Sequence, residues 1–78
     1  MLEVIKIFIT KSEIIKKFKT KSNYFINGYF EGYNNPKQSL EDINKFLTSG
    51  RLEELSEKAR YYLEGKSAGV EDRRKIML

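Results

Sequence analysis

Residues 24 to 36, YFINGYFEGYNNP, place five of the chain's ten aromatic side chains beside two Gly, three Asn and the only Pro. A stretch this dense in rings and Gly has two backbone solutions. Asn-Gly flanked by apolar residues is the strongest short-range hairpin signal, because it accepts the positive φ angles of a type I′ turn. With Asn27-Gly28 at the tip, Ile26 faces Tyr29 and Phe25 faces Phe30, the kind of cross-strand pair that stabilises a sheet. The rival is a helix starting at Ser22, in which Tyr29, Phe30 and Tyr33 recur at helical spacing and Gly28 and Gly32 notch one face. Two interior Gly cost a helix about 1 kcal/mol each relative to Ala. The hairpin is therefore the expectation.

The flanking sequence extends that reading to an α+β domain. Residues 2 to 9, LEVIKIFI, are β-branched and aromatic and read as a strand. Thr10 and Glu13 form a capping-box pair that opens a short basic helix, with Ile9 placed to staple onto Ile14. NNPKQS is a loop. Ser39 is read as the cap of a helix over 40 to 48 that Gly50 ends. A second amphipathic helix follows over 51 to 64, with Glu54 and Lys58 as an outer i,i+4 pair, and Gly65 stops it. The expected fold is a small sheet, made of the N-terminal strand and the aromatic hairpin, packed by this helical hairpin; the alternative is all-α. Residues 1–66 form the domain and 67–78 a C-terminal helix or tail. No internal repeat is evident.

The chain has 78 residues, no Cys and no His. Disulfides, thiolate metal sites and imidazole catalysis are thereby excluded. Carboxylates, Lys and Tyr remain, but no Gly-rich phosphate loop, paired-carboxylate motif or nucleophile elbow organises them, so no enzymatic activity and no cofactor are expected. A domain this small without staples is expected to self-associate. Glu3 and Lys6 break the N-terminal apolar run, and no small-residue cleavage site follows. The expectation is a cytoplasmic protein that neither carries a signal peptide nor crosses a membrane. Its Lys-, Ile- and Asn-rich usage suggests an A+T-rich source such as a low-GC bacterium or its phage, with a phage or other mobile element as the expected origin.

The net charge of +4 is concentrated. Residues 1–22 hold six Lys against Glu3 and Glu13, whereas residues 23–50 sum to −1 and residues 51–78 to +1. Lys16, Lys17, Lys19 and Lys21 form the densest block, suited to a phosphate backbone or an acidic partner. Tyr24, Tyr29 and Tyr33, if exposed beside it, would stack on unpaired bases.

Three family resemblances bear on this region. Residues 9–33 resemble a helix-turn-helix, although the second segment carries no Arg or Lys to read bases. The same span with EVIKIFI before it resembles a ribbon–helix–helix repressor, in which that strand would be the dimer ribbon and Ser22 would cap the second helix. INGYFEGYN, residues 26–34, resembles the LAGLIDADG homing-endonuclease motif, where a small-residue-notched helix brings an acid to a metal site. Glu31 matches one acidic position of that motif. Tyr33 and Asn34 stand where its closing acid and Gly belong, and no long saddle of strands follows.

The functional expectation is a small nucleic-acid-binding or regulatory protein that contacts phosphate through Lys16, Lys17, Lys19 and Lys21. The alternative is a protein-interaction module, an adaptor or inhibitor, using the aromatic patch or the apolar C-terminus.

Overall fold

The computed structural model describes residues 8–49 and 56–77. Among them are four helices: α1 (Lys11–Lys17), α2 (Asn23–Asn34), α3 (Pro36–Ser49) and α4 (Glu57–Met77). No strand occurs among the described residues, so the α+β expectation gives way to the all-α alternative. The aromatic hairpin is in fact α2. Of the expected strand, residues 2–7 lie outside the described residues, and Phe8 and Ile9 belong to no regular element.

Two caps place the first helices where their local sequence puts them. Thr10 accepts from the Glu13 amide at 3.3 Å and donates its hydroxyl to the Glu13 carboxylate at 3.1 Å, opening α1. Ser22 accepts from the Phe25 amide, which starts α2. These bonds satisfy amides that the helix itself leaves orphaned. Only Asn35 separates α2 from α3. Pro36 opens α3, where its fixed φ suits the first helical position and its missing N–H costs nothing. Ser39 is consequently inside α3, not at its cap. It is buried, and its hydroxyl donates to the Glu31 carbonyl at 3.1 Å, fastening α3 to the end of α2.

The central packing is α2 against α4, and Gly makes it. A Cβ placed on Gly28 would run into the Tyr62 carbonyl oxygen and stand 2.9 Å from the Lys66 nitrogen. One on Gly32 would meet the Lys66 carbonyl, one on Gly65 the Phe25 carbonyl, and one on Gly69 the Tyr29 carbonyl. The helices therefore touch backbone to backbone, run parallel, and pair Gly28 with Gly65 and Gly32 with Gly69 at one offset of 37 residues. Each Gly meets the carbonyl three residues before its counterpart, so the contacts map onto themselves when the two helices are exchanged. Gly65 thus continues α4 instead of ending it. Residues 51–55 of the expected second helix lie outside the described residues, while 57–64 form the first part of α4. A short echo links the pair, an aromatic, an aliphatic and a third residue before Gly-x-x-x-Gly in both Phe25–Gly32 and Tyr62–Gly69.

With its Gly face on α4, α2 turns its Phe25 and Tyr29 rings towards Phe18 at the end of α1. Tyr29 is fully buried, with the rings of Phe18 at 4.9 Å, Tyr33 at 5.9 Å and Phe25 at 6.4 Å. Ile14, Phe25, Ile26 and Tyr33 complete this cluster, with Ile9 and Phe18 packed against it.

Replacing Gly28 or Gly65 by Ala is expected to lower stability by about 1–3 kcal/mol, because the overpacking strain exceeds the helix-propensity gain of about 1 kcal/mol. Asn27→Ala and Ser67→Ala, at exposed neighbouring positions, should change stability little. Urea denaturation followed by helical circular dichroism checks both; a stabilising Gly28→Ala would contradict the close contact.

Candidate nucleic-acid interface

The lysine block lies at the corner between α1 and α2. Lys16 and Lys17 are in the last turn of α1, where cations complement the helix dipole. The Lys21 amide then bonds the Phe18 carbonyl at 3.1 Å, closing a tight turn that carries Lys19. Lys16, Lys19 and Lys21 are exposed and form no ion pair among the described residues. The Lys21 ammonium also lies 5.2 Å from the Phe25 ring centroid, a cation–π approach at the edge of the core.

Lys17 differs. Its ammonium is 3.2 Å from the Asp72 carboxylate of α4 and 3.4 Å from the Tyr29 hydroxyl. The Tyr29 hydroxyl donates to the same Asp72 oxygen at 2.5 Å, and Lys75 approaches the other oxygen at 3.8 Å. This four-residue knot ties α1, α2 and α4 together. Burial alone would raise the Asp72 pKa, but the Tyr29 hydroxyl and the two lysines outweigh it and hold the carboxyl below its ordinary range. Burial, together with that carboxylate, keeps the Tyr29 phenol protonated well above its ordinary pKa.

The three tyrosines expected beside the lysines are divided by the fold. Tyr29 and Tyr33 are core residues and offer no face to a base. Tyr24 is 41% exposed, with the Lys58 ammonium of α4 5.5 Å from its ring centroid. The helix-turn-helix and ribbon–helix–helix resemblances both make α2 a second, working helix, yet α2 carries the largest share of the core and buries its Phe25, Tyr29 and Tyr33 rings. In the LAGLIDADG resemblance, the notched helix is present, but Glu31 bonds the Asn35 side chain at 3.3 Å. Among the described residues no three His, Cys, Asp or Glu side chains gather to hold a metal ion. Nor is any helix there long and apolar enough to cross a membrane. Of the apolar C-terminus, Ile76 is 40% exposed, while the Met77 side chain and Leu78 lie outside the description.

The partners that sequence reasoning missed are Asp72 and Lys75, beside Lys17, and Lys58, over Tyr24. Asp72 is 55 residues from Lys17 along the chain, and no local pattern signals that pairing.

Because the folded-state pKa of Asp72 is depressed, its stabilisation is complete above the unfolded value of about 4 and is lost as pH falls through the lower folded value. Asp72→Asn should therefore be less stable than the parent at neutral pH, and the gap should close below about pH 4. Urea titrations of both proteins across that range measure it; a constant gap would mean that the carboxylate charge is not what the knot uses. No family model, curated protein or solved structure matches the chain.

Proposed function

We propose that this chain is a small, non-enzymatic nucleic-acid-binding or regulatory protein, contacting phosphate through Lys16, Lys19 and Lys21. The observation that carries the reading is the α1–α2 corner itself: three exposed lysines within six residues, none neutralised by an ion pair among the described residues. A solvated helix face usually interleaves acids with its bases, as the exposed Glu57, Lys58, Arg60 and Glu64 of α4 do; KKFKTK does not. Glu13, the acid of α1, sits at the opposite end of the helix, bonded to Thr10. Lys17 is committed to Asp72, so its part is to set the corner's position. Tyr24 supplies the exposed ring among the three tyrosines. Contacts of this type give salt-dependent affinity with little sequence information. A cytoplasmic setting fits such a role.

The test is fluorescence anisotropy of labelled DNA at about 50 and 200 mM salt. Engagement of about three phosphates gives a log–log slope near −3 on duplex. Lys16→Glu with Lys19→Glu should abolish the binding while leaving the helical signal and melting transition intact, since neither side chain holds the fold. Absence of binding by the parent protein at the lower salt would overturn the reading.

A further inference from the structure

A cleft of about 270 Å³ opens beside the lysine corner, walled by Thr20, Lys21 and Ser22 of the turn, Phe25 of α2, and Tyr61 and Glu64 of α4. Its volume is below the roughly 300–1,000 Å³ of clefts that take drug-sized ligands, so it suits a single ring system. Two of its walls are aromatic. Phe25 is nearly buried, whereas Tyr61 is 39% exposed, with its hydroxyl donated to Glu57 at 3.0 Å. The polar groups are arranged by sign: the Lys21 ammonium belongs to the corner, and the exposed Glu64 carboxylate comes from the opposite helix.

We propose that this cleft takes one unpaired base of a single-stranded nucleic acid, with the base against Tyr61 and Phe25 and its phosphate on Lys21. The proposal rests on the lysine corner binding phosphate and adds to it the part of the ligand that the cleft would select. A base stacked within a duplex cannot enter a cleft between two helices, whereas an unpaired base offers a face for aromatic stacking and free edges for hydrogen bonds. The Glu64 carboxylate only accepts hydrogen bonds, so it favours a base with an exocyclic amino group, as carboxylates accept from cytosine. Lysines on phosphate cannot supply such a preference.

The experiment measures binding of oligodeoxycytidine, oligothymidine and a duplex by the parent chain and by Tyr61→Ala, Tyr61→Phe and Glu64→Gln. Tyr61→Ala is expected to weaken both single strands roughly tenfold, the loss of one stacked base, and to leave the duplex unchanged. Tyr61→Phe keeps the ring and should bind as the parent does. Glu64→Gln should erase the preference for oligodeoxycytidine over oligothymidine; this readout decides the matter if Tyr61→Ala fails to fold. Parent binding that Tyr61→Ala leaves intact, or weakens equally on duplex and single strand, overturns the cleft while the lysine corner stands. No binding to any of the three DNAs overturns both.

Discussion

The backbone contact between α2 and α4 is the constraint on which the other features depend. Four Gly on two helices leave the closest approach free of side chains, so the Tyr62 and Lys66 carbonyls of α4 face Gly28 and Gly32, and the Phe25 and Tyr29 carbonyls of α2 face Gly65 and Gly69. At that separation the surfaces gain dispersion contacts along their length and Cα–H···O approaches of the kind seen between closely packed helices. The helical cost of the Gly residues is met by a contact that no larger residue permits. The exchange symmetry follows from the spacing: two parallel helices with Gly at i and i+4, paired Gly to Gly, see each other identically.

Once the seam is fixed, the directions of the remaining side chains are fixed with it. The rings at 25, 29 and 33 recur every four residues along α2 and form a ladder beside the seam, which is covered by Ile14 of α1 and by Phe18, the residue that caps it. Polar side chains then fasten each outer segment to the central pair. Asn34 clasps the backbone of Ile9 through both its amide atoms, at 2.9 and 3.0 Å, which holds the approach to α1. Lys66, buried in α4, reaches Asp42 of α3 at 3.0 Å. Burial would lower the Lys66 pKa, but Asp42 and Tyr62 outweigh that and raise it, so the cation is retained. The Arg73 guanidinium lies 5.8 Å from the centroids of both the Phe8 and Tyr33 rings and donates to the Tyr33 carbonyl near the end of α2.

These fastenings also decide which charges are available for function. Lys17, Lys66 and Arg73 have structural partners from other helices, whereas Lys16, Lys19 and Lys21 project from a corner whose shape Lys17 helps to set. Positioned cations on a tight, well-capped turn suit phosphate better than the same residues on a frayed segment, because less side-chain and backbone freedom is lost on binding. The same turn forms one wall of the cleft, so phosphate and base contacts would share one rigid support.

The sequence by itself determined whatever few neighbouring residues can specify. Thr10 with Glu13 sets the start of α1, Ser22 sets the start of α2, and the lysine excess falls where the chain writes it. It also excluded disulfide and imidazole chemistry outright. Only the tertiary structure decided what Asn27-Gly28 is for. Local energetics favour a turn there, and a helix is chosen because Gly28 and Gly32 meet Gly65 and Gly69 across the fold. The same distance in sequence hid Asp72 from Lys17 and Tyr29, and made core of two tyrosines that a local reading places beside the lysines. A Gly carries no side chain to advertise its partner, so its role is written entirely by the backbone that comes to lie against it.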